Sequence, residues 1–367
     1  MSITKEQLLN ALRTVEEPDL KKDLVSLNMI SNVHVDGLKV SFTVILTTPA
    51  CPLKELIRNN CIKAVHEHVD SNAQVTVDLT AEVTSGQFNK GPLLSGVKNI
   101  IAVSSGKGGV GKSTVTANLA VALAKTGARV GLIDADIYGP SMPTMFDVEG
   151  VQPNITENEE GKPTIIPVEQ YGVKIMSIGF MTPPDQAIVW RGPMASSALR
   201  QFIADCAWGE LDYLLIDLPP GTSDIHLTLV QTVPLTGAIV VTTPQKVALA
   251  DARKGLLMFR QPQINVPIIG IVENMAWFTP AELPENKYYI FGKNGGHELA
   301  ADFDIDVIGQ IPLVQSIREC GDNGKPAVLG GEPVIAEAFT NLAEEVARQI
   351  AIRNASAAPT QKVEIKV

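Results

Sequence analysis

The hydrophobic pattern of the chain changes near residue 99. Beyond that point, short and almost uninterrupted runs of Val, Ile and Leu alternate with longer stretches of helical periodicity. Strands buried on both faces have this pattern, and parallel strands are joined by helices. Residues 99–352 are therefore predicted to form a doubly wound, mainly parallel α/β sheet. The predicted strands are 100–103, 130–133, 173–178, 213–216, 238–241 and 268–272.

The first 85 residues combine helical and strand patterns on a smaller scale. Thr4 and Gln7 have the spacing of a capping box, and apolar residues at helical spacing follow them. Asp36-Gly37 separates two alternating runs, which is typical of a hairpin. These signals predict a small α/β domain. Its expected elements are a helix after Thr4, strands at 29–35 and 39–46, a helix that opens at 47–52 and a strand at 74–82.

Two segments lack periodicity. Residues 86–98 are rich in small and polar side chains, which is typical of a linker. Residues 353–367 are polar and rich in alanine, and we expect a flexible tail there. The predicted organisation is a domain at 1–85, a linker at 86–98, a larger domain at 99–352 and the tail.

Composition excludes several classes of protein. The 367 residues include 30 Lys and Arg against 40 Asp and Glu, a net charge of −10, which argues against a nucleic-acid-binding protein. No apolar run approaches the roughly 18 residues of a membrane span. The first residues are acidic, unlike a signal peptide, and four cysteines are too few for a disulfide framework. We expect a cytoplasmic protein without a membrane or nucleic-acid partner.

A phosphate-binding motif follows the first strand of the larger domain. It reads Gly106-Lys107-Gly108-Gly109-Val110-Gly111-Lys112-Ser113 and fits G-x-x-x-x-G-K-[ST]. A helical stretch begins at Thr114, so the motif has the strand and helix that it requires. Backbone N–H groups of such a loop surround phosphate oxygens, and the helix N-terminus adds a favourable dipole. We expect these residues and Thr114 to bind nucleotide, with Lys112 at the β/γ-phosphates and Ser113 on Mg²⁺.

Three carboxylates and one amide follow other predicted strands. Asp134 and Asp136 come directly after 130–133, and Asp217 ends the apolar run 214–216. Asp134 would help to organise either Mg²⁺ or the loop. Ligands of doubly wound sheets bind at the carboxyl ends of strands. Asp217 has the context of a Walker B aspartate that faces Mg²⁺, and the Pro-Pro-Gly turn after it could respond to the γ-phosphate. The Asn274 amide carries a donor and an acceptor, which suit a base edge.

The run SSGKGGVGKST resembles the deviant P-loop of the MinD/ParA class of ATPases. The chain is most similar to the Mrp/ApbC iron–sulfur carrier ATPases within that class. Residues 48–52, Thr-Pro-Ala-Cys-Pro, resemble the small iron–sulfur assembly domain that is often fused to these carriers. The other segments that carry the resemblance are 136–141, 190–194, 208–213, 217–224, 273–275 and 290–292.

The resemblance implies a homodimer with two ATP molecules between the protomers. Lys107 would contact the nucleotide of the facing subunit, Asp136 would orient the attacking water, and Asn274 would recognise the adenine. It also implies a carrier that binds an iron–sulfur cluster at the dimer interface. Such a carrier delivers the cluster to apoproteins and hydrolyses ATP slowly.

The chain departs from this family pattern at the cluster site. Many members have Cys-Pro-x-Cys between the Asn-Met and Ile-Phe-Gly segments, but residues 276–287 contain no cysteine. Cys51 is the best replacement, because Pro52 would place it near a helix N-cap, where the thiol pKa falls. Cys61 and Cys206 lie on apolar stripes and are expected in the core, whereas Cys320 could be exposed. The histidines are not spaced as metal ligands.

Three functions are compatible with these observations. The first is a dimeric ATPase that carries iron–sulfur clusters. The second is a positioning ATPase of the MinD/ParA kind, although the chain is acidic and its last residues lack an apolar stripe. The third is a nucleotide-gated adaptor that binds a client and carries no cluster.

Overall fold

The chain forms two compact units in the computed structural model. The first comprises the residues up to 84 together with 347–357, and the second comprises 85–346 together with the residues from 358 onward. The structure describes residues 3–86, 93–158, 161–181, 192–280, 282–283 and 285–363.

The first unit contains a three-stranded sheet with two helices. Its order is β3-β4-β5, with β3 and β4 antiparallel and β4 and β5 parallel. Thr4 closes the capping box with Gln7, and Leu8, Phe42 and Ile57 lie in the buried core. The elements are α1 Lys5–Leu12, β1 Glu16–Glu17, β2 Lys22–Asp23, β3 Ile30–Asp36, β4 Lys39–Leu46, α2 Lys54–His68 and β5 Gln74–Ala81.

The second unit is a sheet between layers of helices, and the last helix belongs to this unit only up to residue 346. The elements are β6 Val97–Ser105, α3 Lys112–Lys125, β7 Val130–Asp134, α4 Met142–Met145, β8 Ile155–Glu157, β9 Pro163–Ile165, β10 Val168–Gln170, β11 Val173–Ser177, a 3₁₀ turn Ile178–Phe180, α5 Gly192–Ala204, β12 Leu211–Asp217, α6 Asp224–Thr232, β13 Gly237–Thr242, α7 Lys246–Phe259, β14 Ile268–Phe278, α8 Gly295–Asp302, β15 Val307–Leu313, α9 Gln315–Asp322, α10 Ala327–Gly330 and α11 Pro333–Ser356.

Eight strands form the sheet in the order β10-β11-β7-β12-β6-β13-β14-β15. Every neighbouring pair is parallel except β10 with β11. This confirms the predicted doubly wound, mainly parallel sheet. The chain leaves β6 toward β7 on one side and later returns to β13 on the other. The order therefore reverses at β6, which opens a crevice at the carboxyl end of this strand.

The predicted segment boundaries differ from the structure at two places. β6 begins at Val97, so the predicted linker 86–98 ends earlier than expected, because residue 97 already pairs with Leu211 in the sheet. Residues 87–92 of that linker lie outside the described part. The helix α11 continues to Ser356, so the tail does not begin at 353. Residues 364–367 of the tail also lie outside the described part.

None of the helices in the described part of the chain has both the length and the apolar content needed to span a membrane.

Candidate nucleotide site

The P-loop connects β6 to α3 at the point where the strand order reverses. Gly109 and Gly111 have φ angles of +81° and +79°, a backbone conformation that L side chains rarely adopt. Gly111 is the N-cap of α3, and the helix begins at Lys112. The first N–H groups of the helix therefore point into the loop, where they are available to an anion.

Asp217 is the centre of a buried cluster beside the loop. Its Oδ2 accepts from Lys112 Nζ at 2.7 Å and from Ser113 Oγ at 2.6 Å, and its Oδ1 accepts from Thr116 Oγ1 at 2.6 Å. Neighbouring parallel strands place this carboxylate level with Asp134, its Cα partner on β7. The P-loop lysine, the P-loop hydroxyl and the Walker B carboxylate thus lie together.

Asp134 accepts hydrogen bonds from the loop that follows it and from the end of β11. It accepts from the N–H groups of Asp136, Ser141 and Met142 and from the Ser177 hydroxyl. Burial raises the pKa of Asp134 to about 7, and the neighbouring Asp217 charge adds to this effect. The sequence left open whether Asp134 organises Mg²⁺ or the loop. Its contacts in the structure are those of a loop organiser.

Asp136 is half-buried and lies close enough to Lys112 and Asp217 to interact with their charges. Burial raises its pKa, while the Lys112 charge opposes that increase. A carboxylate with a raised pKa, placed next to the phosphate loop, could accept a proton from water.

A cavity of about 430 Å³ adjoins the loop. Asn274 lines it, and the Asn274 Nδ2 donates to the Val110 carbonyl at 2.8 Å. The cavity walls are mainly apolar and come from β14, from β15 and from the helices α4 and α9. Their residues include Met275, Pro312, Leu313, Val314 and Ile317. A mainly apolar cavity with an amide in its lining can take a planar heterocycle, and the predicted adenine contact of Asn274 stays a prediction.

Lys107 is half-buried in the loop. Its carbonyl accepts from Ser105 Oγ, and its ammonium group makes no ion pair with any described residue. The loop therefore presents a cation that no described carboxylate neutralises.

The turn after Asp217 and the helix that follows it both contact β6. The Gly221 N–H donates to the Ser105 carbonyl, and His226 on α6 lies 3.5 Å from Ser104 Oγ. His226 Nδ1 accepts from the Ser223 N–H, which completes a capping box at the start of α6. Burial lowers the pKa of His226 to about 4, so this ring is neutral near pH 7.

Cys51 does not lie where the sequence predicted. The helix α2 begins at Lys54 with Leu53 as N-cap, so Cys51 is two residues before the cap and Pro52 is not the first helical residue. Pro52 and Leu53 form a turn between Cys51 and the helix. Cys51 is 8% exposed and lines a hollow of about 10 Å³ with Glu17 and Thr48, room for one water at most.

The other cysteines have the predicted burial. Cys61 and Cys206 are buried, and burial raises the pKa of each thiol to about 12. Cys320 is partly exposed. No group of three or more His, Cys, Asp or Glu side chains within the described residues is arranged to hold a metal ion.

The segment that lacks the family cysteines contains aromatic residues. The backbones of Phe278 and Tyr288 form an antiparallel bridge, and Lys287 Nζ lies 3.9 Å from the centre of the Trp277 ring. Tyr288 and Ile290 are exposed.

The family model described as NUBPL iron-transfer P-loop NTPase matches residues 96–347. The chain belongs to this family. A second model, described as iron-sulfur cluster assembly protein, matches residues 5–79. Together they confirm the predicted resemblance to iron–sulfur carrier ATPases with an N-terminal assembly-type domain.

Relatives of this NUBPL-type chain match along almost its whole length. It is 48% identical over 352 residues to the iron-sulfur cluster carrier protein of Synechocystis sp., with 95% of this chain and 99% of the relative covered. The corresponding protein of Escherichia coli K12 is 40% identical over 358 residues, with 94% and 92% covered. A solved nucleotide-binding protein from Archaeoglobus fulgidus, in complex with ADP, is 40% identical with a TM-score of 0.57, covering 67% of this chain and 93% of that one.

Two residues of the site carried no sequence signal. Thr116 lies outside the P-loop motif, and a threonine within a helix is common. His226 has the Ser-x-x-His spacing of the observed capping box, but the usual signature has Glu or Gln at that position.

One segment that carries the family resemblance, 190–194, is described only in part. Its residues 190 and 191 lie outside the described part.

Proposed function

We propose that this chain is an ATP-hydrolysing carrier of iron–sulfur clusters that works as a homodimer and delivers clusters to apoproteins. The observation that carries the ATPase part is the buried Lys112–Ser113–Asp217 cluster at the strand-order reversal. The carrier part is supported by the relatives, whose names describe iron–sulfur cluster carriers.

The donor set at the P-loop fits Mg²⁺ and ATP. Mg²⁺ prefers oxygen ligands and is usually bound by one or two protein oxygens together with phosphates and water. Ser113 offers a hydroxyl and Asp217 a carboxylate, and Lys112 adds a cation for the β/γ-phosphates. When bound, Mg²⁺ supplies positive charge that offsets the charge on the phosphates.

The remaining residues have roles that follow from their positions. We propose that Asp136 orients the attacking water, because its half-buried carboxylate lies near Lys112. We propose that Lys107 crosses to the nucleotide of the partner subunit, since its own protomer leaves the ammonium without an ion pair among the described residues. Both lysines would stabilise negative charge on the transferring phosphoryl group.

Cluster binding needs thiolates, and Cys51 is the candidate in this chain. The hollow beside it has room for one water at most, so a cluster could reach Cys51 only after the surrounding segment has moved. This obstacle, with the cysteine-free segment 276–287, favours a second candidate. In that alternative the chain is a nucleotide-gated adaptor that holds a client and no cluster.

The test is anaerobic reconstitution with iron and sulfide, followed by iron and sulfide analysis per protomer. Wild type, Cys51→Ser and the control Cys320→Ser are compared. A carrier that uses Cys51 holds a stoichiometric cluster in wild type and in Cys320→Ser and loses it in Cys51→Ser. A cluster retained in Cys51→Ser would remove Cys51 from the site, and no cluster in wild type would favour the adaptor.

ATP turnover is measured on the same preparations. Lys112→Ala is expected to abolish tight ATP binding, and Asp136→Ala to slow turnover while sparing binding. Full hydrolysis by either variant would contradict the ATPase assignment.

A further inference from the structure

We infer that Thr116 is a positioning residue that keeps Asp217 turned toward the metal when the chain binds Mg²⁺ and ATP. The inference rests on the proposed function, because it concerns how the P-loop site takes up Mg²⁺. Thr116 lies on α3 one helical turn after Lys112, and its side chain is fully buried.

The Thr116 hydroxyl has two acceptors within reach and one proton to donate. Its Oγ1 lies 2.6 Å from Asp217 Oδ1 and 2.9 Å from the Lys112 carbonyl. A threonine within a helix often donates to the carbonyl four residues earlier. Here the carboxylate is both nearer and charged, and charge-assisted O–H···O⁻ bonds are the stronger ones at this distance. The proton therefore goes to Asp217.

Two of the three donors to Asp217 have another partner when nucleotide and Mg²⁺ bind, and the third does not. Lys112 and Ser113 share Oδ2, and the P-loop function takes both of them elsewhere, to the phosphates and to Mg²⁺. Thr116 binds the other oxygen from a position with no exposure to solvent. It is therefore the donor that stays on Asp217 after the other two have moved.

Loss of this hydroxyl would have a specific effect. Oδ1 of a fully buried carboxylate would be left without its donor, and the carboxylate would turn to find another. The orientation of Oδ2 toward the metal would then be lost. The effect belongs to the Mg²⁺-bound state, because without Mg²⁺ the Ser113 hydroxyl remains available to Asp217 even when Lys112 binds the phosphates.

The experiment measures binding of the ATP analogue AMP-PNP to the full chain, once with Mg²⁺ and once in EDTA. Thr116→Val removes the hydroxyl and keeps the shape of the side chain, whereas Thr116→Ser keeps the hydroxyl. We expect Thr116→Val to weaken binding about tenfold in Mg²⁺ and less than about twofold in EDTA. Thr116→Ser is expected to restore the Mg²⁺-dependent affinity.

Thr340→Val is the matched control. Thr340 is also a helical threonine and donates to the carbonyl of Ala336 at 2.8 Å, four residues earlier, as Thr116 would if it had no carboxylate partner. This variant should leave the affinity unchanged in both conditions. Thermal melting of all three variants separates loss of folding from loss of positioning.

Two results would overturn the inference. One is an equal loss of affinity for Thr116→Val in Mg²⁺ and in EDTA, and the other is a wild-type Mg²⁺ response in that variant. Failure of the proposed function looks different, because wild type itself would then bind no AMP-PNP.

Discussion

Asp134 and Asp217 are partners on neighbouring strands, and both are fully buried, but they have different donors. Asp217 has the Lys112 ammonium at 2.7 Å and the Ser113 hydroxyl at 2.6 Å, whereas the described donors to Asp134 are N–H groups and the Ser177 hydroxyl. The P-loop residues that would meet Mg²⁺ and phosphate therefore contact Asp217, and the donors to Asp134 hold the loop after β7. This difference is why we propose Asp217 for Mg²⁺ and Asp134 for the shape of its loop.

His226 makes the stability of the protein depend on pH. Its pKa falls from 6.5 to about 4 in the folded chain, so between these values the unfolded chain binds a proton that the folded chain does not. Its contribution to stability is complete above pH 6.5 and declines as the pH falls toward 4. For His226→Gln, we expect the stability difference from wild type to change by about 2 kcal/mol between pH 7.5 and pH 5. Denaturant unfolding at the two pH values measures it.

His297→Gln is the control for this prediction. His297 is the third residue of α8, as His226 is of α6, but its side chain is exposed. Other titrating groups are common to wild type and variant and cancel in the difference. If the free energies of unfolding of wild type and His226→Gln differ by the same amount at both pH values, the lowered pKa of His226 is contradicted.

Sequence motifs identified some residues of the site and not others. Lys112, Ser113 and Asp217 belong to sequence patterns. The spacing of these patterns and their position after predicted strands place the three residues at the carboxyl ends of the strands. Thr116 and His226 act through contacts across the fold, and no local pattern marks those contacts. Cys51 was misplaced because Pro52 suits a helix start, while the chain forms a turn before Lys54.

The helix α3 has a glycine of positive φ at each end, and the two have different surroundings. A Cβ on Gly111 would lie 2.2 Å from Asn274 Nδ2, whereas a Cβ on Gly127 would meet nothing within 4 Å. Both glycines have positive φ, so alanine costs roughly 1–2 kcal/mol of backbone strain at either position. Only at Gly111 does it also displace the Asn274 amide, which lines the cavity.

We therefore expect Gly111→Ala to weaken AMP-PNP binding by about tenfold or more, because it breaks the bond from Asn274 to Val110. Gly127→Ala should bind as wild type does, and both should melt at lower temperature. Calorimetric titration and thermal melting test the pair. Equal AMP-PNP affinities for the two variants would show that the close approach of Gly111 to Asn274 is not needed for nucleotide binding.

At the level of elements, burial decided what the sequence could predict. The six predicted strands all occur, and they lie inside the sheet or next to its edge, where uninterrupted apolar runs are needed. β15 was missed because it forms an edge and contains Gly309, Gln310 and Pro312, which interrupt the pattern. β10 has three residues at the opposite edge and leaves no recognisable run.

For the whole molecule, the prediction concerns nucleotide-dependent dimerisation. If Lys107 completes the partner's site, Lys107→Ala should retain AMP-PNP binding to the monomer and lose nucleotide-dependent dimerisation. Sedimentation velocity with and without AMP-PNP and Mg²⁺ measures the dimer fraction. Lys63→Ala removes a surface lysine of the first unit and is the control. A Lys107→Ala protein that dimerises like wild type would assign this lysine to its own protomer.

The composition of the first unit has a consequence for dissecting the protein. Residues 347–357, the end of α11, belong to that unit, and Arg348 pairs there with Asp19 at 2.7 Å. A fragment that stops near residue 85 therefore lacks part of its own fold, so its failure to bind a client would say nothing about the intact protein. The two modules cannot be exchanged between relatives by a single cut, and a transplant of the first needs the last turns of α11 as well.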